Sequence, residues 1–429
     1  MEAACPPRFA PRFEAFSAIG ATGDGGVHRM EATEANGEAR RQLVAWLKDD
    51  GFAVRIDRVG NIFGLLELAG PDAPWILAGS HVDSQPYGGR FDGAYGVIAA
   101  IEVAAALRDT IAQSGERPKA NLAVVAWSGE EGARFKTLLG SRAFAQAATI
   151  DAILADRDVH GVSLRDALDE IGFLGTDDPP PVPAAYVELH VECGSHLETQ
   201  SGRLGIFERW WGAHKLDITF IGETSHTGPT PMAKRKDALY GAAQIVAGVR
   251  HLADAAPIGD LHTSVGKLIV VPNSPNVVPG TATACVELRS PKADVIASAR
   301  DRLMEMVSVA CATARVTYRL DRDDLRIPGR FDQTLGALAR RLAAPLGFEP
   351  LGVETLPGHD AVTLAAICPV LMLTVPSRDG LCHHPAEWTS PEDLELGAAW
   401  LAIVLRSLVI DGPPARGRYD AHSLVKERV

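Results

Sequence analysis

The chain reads as an α/β protein whose outer domain is interrupted by a smaller second one. Short apolar runs alternate with helical patterns up to about residue 200, as in a largely parallel sheet covered by helices. From 203 to 325 the order is β-α-β-β-α-β, the split βαβ arrangement. After 326 the first pattern returns. The outer domain is therefore expected over 1–202 and 326–429, and the insert over 203–325.

Each element has its own signal. Residues 39–50 place Leu43, Trp46 and Leu47 on one side of a helix. Residues 75–78 are a short apolar run ending in Gly-Ser, and 97–107 read as a buried helix. NLAVVAW (121–127) and the run at 186–191 are the length of strands, and PPPV at 179–182 is a loop. In the insert, KLDITFI (215–221) alternates as a strand does. Residues 237–253 are helical, with Leu239, Ile245, Val246 and Val249 apolar. Strands at 264–271 and 281–288 are separated by a loop rich in Pro and Asn. Residues 294–312 form an amphipathic helix through Val295, Ile296, Ala299, Leu303, Met306 and Val307, and 315–320 is the last strand. Beyond it come a helix at 335–346, an apolar strand at 370–375 and a closing helix at 391–408.

The 429 residues suffice for two domains, and 46% hydrophobic with 22% charged residues is ordinary for a globular protein. The formal charge of −12 argues against nucleic acid or an anionic membrane surface as partner. No apolar run is long enough to span a bilayer. The N-terminal stretch MEAACPPRFAPRFEAF has prolines and no apolar core of a signal peptide, so a cytoplasmic location is expected. Six cysteines, at 5, 193, 285, 311, 368 and 382, form no CxxC pair and read as buried reduced thiols.

In open α/β sheets, ligands gather at the carboxyl ends of the strands. WILAGSHVDS delivers His81 and Asp83 there, and NLAVVAWSGEEG delivers Glu130 and Glu131. AAYVELHVEC delivers His190, and VLMLTVPSRDGLCHH delivers His383 and His384 after a loop. GGRFDGAYG sets Asp92 in a glycine-rich loop. Singly these have plainer meanings: a structural histidine, a solvated acidic pair, a turn. Four such pieces at equivalent strand ends point to a metal site.

The segments GSHVDSQPYGGRFDGAYGV, WSGEEGARF, ELHVECGSHLE, SHTGPTPMAKRKDAL, PNSPNVVPG, GHDA and CHHPAEWT, spread over 79–389, resemble those of the di-zinc aminoacylase and carboxypeptidase superfamily. More narrowly they resemble its hydantoinase/carbamoylase amidase branch: N-carbamoyl-L-amino-acid hydrolases, yeast-type β-ureidopropionase and allantoate amidohydrolases. The resemblance implies a zinc-exopeptidase-like catalytic domain with a mixed, mostly parallel sheet, and a ferredoxin-like inserted domain serving as lid and dimer contact. It implies two divalent ions per subunit, zinc or else manganese or cobalt, held by His81, Asp92, Glu131, His190 and His383, with Asp92 bridging. Asp83 is then the carboxylate that orients His81, and Glu130 the general base. The implied reaction is hydrolysis of a C–N bond in an N-carbamoyl-amino acid or related ureido acid. A hydroxide bridging the ions attacks, and Glu130 passes its proton to the leaving nitrogen. His226 is implied at the carbonyl oxygen, supplied across a homodimer, with Asn276 and Arg289 on the substrate carboxylate and Gly358 as a backbone contact.

Three places depart from the family pattern. HVECGS stands where the family reads H-I-E-Q-G-P, so Cys193 replaces a Gln that bonds the ureido group; a thiol is only a weak donor and acceptor. ERWWGAHK (208–215) replaces a more glycine-rich stretch, and Cys382 stands in the usual place of Ser. Both cysteines read as small thiols filling space, the alternative being an extra ligand or a nucleophile. With Cys193 in the pocket, an N-acyl-amino-acid hydrolase or a dipeptidase on the same two-ion site stays open. A silent metal-binding interaction protein is the reading from another class.

Overall fold

The computed structural model describes residues 5–414; the first four residues of the N-terminal stretch and the end of the 326–429 segment lie outside them. The outer strands are β1 (Ala53–Ile56), β2 (Ile62–Leu66), β3 (Trp75–His81), β4 (Asn121–Trp127), β5 (Ala185–Val191) and β6 (Gly205–Trp210). The insert contributes β7 (Gly212–Ile221), β8 (Ser225–His226), β9 (His262–Val271), β10 (Val277–Val278), β11 (Thr281–Ser290), β12 (Thr317–Arg326) and β13 (Gly329–Arg330). β14 (Leu351–Thr355) and β15 (Val370–Val375) complete the outer set.

The main sheet runs β1-β2-β4-β3-β5-β15-β6, with β14 beside β6. Its middle, β4-β3-β5-β15, is parallel. The flanks are antiparallel: β1 on β2, β2 on β4, and β6 on β15. β4, β5 and β15 are buried along their whole length, which is why they read as unbroken apolar runs. Helix Ala94–Ser114 lies across β3, β4 and β5, and helix Pro391–Ile410 packs on it. The first of these is longer than the expected 97–107. It starts after Gly93 and ends at Gly115, whose left-handed conformation closes helices without steric cost. Ser390 caps the second, accepting from the Asp393 N–H at 3.1 Å, with Pro391 at the first turn.

Residues 209–330 form a separate compact unit; those up to 208 and from 331 form the other. Sequence patterning put these boundaries at 202/203 and 325/326. β6 belongs largely to the main sheet and β12 runs on to Arg326, which moves both toward the C-terminus. Within 209–330 the antiparallel order is β12-β7-β11-β9, that of a split βαβ, with helices Ala238–Asp254 and Ala293–Ala314 packed on the sheet. Alternate residues of β11 are buried, and Leu216, Ile218, Phe220, Ala284, Ile245 and Leu303 share the core. Among the described residues, no helix is long and apolar enough to cross a membrane.

Candidate metal centre

Because β4, β3, β5 and β15 are adjacent and parallel, their carboxyl ends share one edge of the sheet. His81 is the last residue of β3, and His190 the last but one of β5. Glu130 and Glu131 follow β4 by three and four residues, and His383 follows β15 by eight. Asp92 precedes helix Ala94–Ser114 and is the common neighbour of the set. Its Oδ1 lies 3.0 Å from His190 Nε2 and 3.5 Å from His81 Nε2. Its Oδ2 lies 3.2 Å from His383 Nε2, which is itself 3.1 Å from Glu131 Oε2. His383, rather than His384, turns to Asp92; His384 Nδ1 accepts from the Ala386 N–H in its own turn.

The imidazoles are aimed by their other nitrogens. His81 Nδ1 meets the Asp83 carbonyl at 3.1 Å, and His190 Nδ1 the Val191 carbonyl at 2.8 Å. This arrangement leaves each Nε2 available as a ligand atom. The Asp83 carboxylate was expected to orient His81. It lies 3.5 Å from His81 Nδ1, but its hydrogen bonds go to the backbone N–H groups of Glu130 and Glu131, both at 3.1 Å. So both the carbonyl and the carboxylate of Asp83 face the His81 ring, and the carboxylate also holds the acidic pair. Glu31 supports the same turn, accepting from Ser128 Oγ and the Gly129 N–H.

His190 Nε2 is buried and makes no hydrogen bond, although Asp92 Oδ1 is 3.0 Å away. A buried imidazole nitrogen and a carboxylate oxygen set this close are a pair that a shared cation, or failing that a shared proton, would satisfy. In a tetrahedral zinc site with bonds near 2.0–2.1 Å, neighbouring N and O ligands lie about 3.4 Å apart. The separations around Asp92, 3.0 to 3.5 Å, fit that spacing. The donors divide into His81, Asp92 and His190 on one side and Asp92, Glu131 and His383 on the other. His81–Asp92–His190 and Asp92–Cys382–His383 each gather their ligand atoms within 4.8 Å.

The electrostatics follow from burying so many charges together. Burial opposes ionisation of Asp92, yet the charge of His190 and the facing imidazoles hold its carboxyl well below the ordinary value. Burial likewise works against the charged His190 imidazole, but Asp92 lifts it to about 9. Glu130 goes the other way. Burial pushes its carboxyl well above the usual range, His81 opposes this, and Asp360, Glu131 and Asp92 add to it. Its Oε2 lies 3.9 Å from His81 Nε2.

Glu387 and His359 carried no isolated sequence signal. Glu387 Oε1 accepts from the backbone N–H groups of Phe91 and Asp92 at 3.1 and 3.0 Å, fixing the loop that presents Asp92. His359 stacks edge-on against His190, with ring centroids 4.7 Å apart, and half-buried Gly358 precedes it. Cys193 Sγ lies 2.8 Å from Cys382 Sγ, and Cys382 Sγ lies 2.9 Å from Asp92 Oδ2. Cys193 also lines a cavity of about 510 Å³ with Ser195, His196, Phe207 and Thr355.

His226, Asn276 and Arg289 belong to the 209–330 unit. His226 is exposed on β8, opposite Val277 of β10, and the Thr227 N–H donates to the Asn276 carbonyl. Arg289, on β11, pairs with Glu287 at 2.8 Å. β8–β10 thus sets His226 beside Asn276, while Arg289 lies elsewhere, in the four-stranded sheet.

The family model for peptidase family M20/M25/M40 matches residues 77–407. The N-carbamoyl-L-amino acid amidohydrolase of Geobacillus stearothermophilus is 34% identical over 394 residues, covering 89% of this chain and 93% of that one. The allantoate amidohydrolase of Bacillus subtilis is 33% identical over 401 residues, covering 91% and 94%. A crystal structure of a hydantoinase/carbamoylase family amidase from Burkholderia vietnamiensis superposes with a TM-score of 0.88 at 33% identity, covering 96% and 99%. With candidate metal-ligand groups at its sheet edge, the chain belongs to peptidase family M20/M25/M40, in the hydantoinase/carbamoylase amidase branch.

Proposed function

We propose that this protein is a two-ion amidohydrolase cleaving the C–N bond of an N-carbamoyl-amino acid or a related ureido acid. The observation that carries the reading is Asp92, whose two oxygens face different ligand groups: His190 and His81 on one side, His383 on the other. Ions held there supply Lewis acidity and an activated water.

The chain's own residues do the rest. Glu130, buried beside His81, is held above its ordinary pKa and so is basic enough to take a proton and return it to the leaving nitrogen. Asp83 fixes the turn that carries Glu130. Asn276 and Arg289 bind the substrate carboxylate, for which a guanidinium is suited through paired hydrogen bonds. Gly358 contributes a backbone contact. His226 of the partner subunit meets the carbonyl oxygen, the 209–330 unit serving as lid and dimer contact. The edge strand β9 exposes Leu268, Ile269 and Val271, a surface that favours pairing with a second copy. The cysteines among the described residues form no disulfide, which suits the reducing cytoplasm.

Cys193 favours a second reading. It lines the cavity beside the centre where a ureido-binding amide is expected, so an N-acyl-amino acid or a dipeptide is the alternative substrate. N-carbamoyl-, N-formyl- and N-acetyl-L-amino acids, allantoate and ureidoglycolate, each tried with zinc, manganese and cobalt, separate the two. Ammonia released with a free amino acid supports the carbamoyl reading; free amine without ammonia supports the acyl one. No hydrolysis of any of them by metal-loaded enzyme overturns both.

A further inference from the structure

Cys193 and Cys382, two of the places where the chain departs from the family segments, meet in space across 189 residues of sequence. Cys193 follows β5 and Cys382 precedes His383, so both reach the centre on the elements that deliver ligands. Cys382 Sγ lies 2.9 Å from Asp92 Oδ2 and shares a cluster of donor atoms, all within 4.8 Å, with Asp92 and His383. Cys193 Sγ lies 2.8 Å from Cys382 Sγ, a contact in which either thiol could be the donor.

We propose that Cys382 is an additional ligand, as a thiolate, of the ion held by Asp92, Glu131 and His383, and that Cys193 supports it by donating its S–H to the Cys382 sulfur. The proposal rests on the two-ion reading above and adds sulfur to a centre otherwise built from nitrogen and oxygen. On binding, the Cys382 S–H proton leaves to solvent and a sulfur–metal bond forms in place of one metal–water bond. With zinc–sulfur near 2.3 Å and zinc–oxygen near 2.0 Å, tetrahedral S and O ligands lie about 3.5 Å apart. The observed 2.9 Å therefore asks the side chains to spread by a fraction of an ångström. A thiolate selects softer ions, so this site favours zinc, cobalt or cadmium over manganese. One thiolate also leaves net positive charge on the pair of ions: four positive charges stand against Asp92, Glu131 and Cys382.

The test uses the full chain loaded with cobalt, with ion content measured alongside. The wild type is expected to hold two ions and to show a sulfur-to-cobalt charge-transfer absorption. Cys382→Ser is expected to lose that absorption and to shift the zinc-over-manganese preference by about tenfold or more toward manganese. Cys193→Ala is expected to keep the band at altered intensity. A second measurement needs no variant: zinc should protect Cys382 of the wild type from alkylation, read by mass spectrometry. Two bound ions without the band, a band that survives Cys382→Ser, or alkylation of Cys382 unaffected by zinc overturns the proposal and leaves the two-ion reading standing. A wild type that takes up no ion overturns both.

Discussion

Asp92 and Glu130 show how one pocket drives two carboxylates apart. Both are buried, but Asp92 is ringed by imidazoles and stays ionised, whereas Glu130 has other carboxylates around it and is pushed up. That divergence suits Asp92 to the proposed role of ligand and Glu130 to that of base. Glu130→Gln keeps the shape and the backbone N–H hydrogen bond donated to Asp83, so its ion content should match the wild type. Its kcat should fall by about 10²- to 10⁴-fold, the usual worth of a positioned base. Turnover at the wild-type rate in a variant with full ion content removes Glu130 from that role.

The centre depends on segments that carry no ligand. Gly93 has φ +65°, and a Cβ there would sit 2.4 Å from His81 Cε1 and 2.5 Å from both ring nitrogens. Gly93→Ala should displace His81 and weaken ion binding by about tenfold or more, measured by titration of the apo-protein, while far-UV circular dichroism stays native. Further away, helix Phe9–Ser17 is tied down where Arg8 Nη1 donates to Asp50 Oδ1 at 2.7 Å and Arg12 donates to Asp50 Oδ2. Burial would raise the Asp50 carboxyl, but Arg12 and Arg8 outweigh it and hold the value below 3.8. A depressed folded value means the stabilisation is complete above the unfolded one and fades as pH drops through the interval beneath it. Asp50→Asn should therefore cost about 1–2 kcal/mol near neutral pH, between an exposed and a buried pair. Its Tm deficit should shrink once the pH falls below 3.8. A deficit that is constant with pH would mean packing, not charge, is lost.

At the level of the assembly, supply of His226 across a dimer makes a prediction that single-site kinetics cannot. Glu130→Gln and His226→Ala homodimers should each be nearly inactive. Mixed by unfolding and refolding together, half the dimers are hybrids, and one of the two sites in each hybrid has both intact residues. Activity should return to roughly a quarter of wild type, as expected for random two-fold pairing. A mixture no more active than its components places His226 within its own subunit's site, or outside the chemistry.

The middle of the main sheet and the residue types of the candidate metal centre were legible in the sequence because both are local. A parallel strand buried on both faces must be apolar along its length, so NLAVVAW is β4 to the residue, and the side chains following such runs announce a strand-end site. The second domain was legible for a similar reason: one covered face writes alternation into strands and a stripe into helices. Helix Phe9–Ser17 and strands β1 and β2 went unread, being short and held by contacts far along the chain. Family segments, not spacing, singled out Asp92 from a glycine-rich turn. That Glu387 clamps the backbone of Asp92 from 295 residues away, that the Asp83 carboxylate also accepts from the backbone of Glu130 and Glu131, and that Cys193 meets Cys382 required the folded chain. The sequence determines which residues a strand or helix can offer. Which of them face one another depends on the order β4-β3-β5-β15, fixed by the burial of whole sheet faces rather than by any nearby residue.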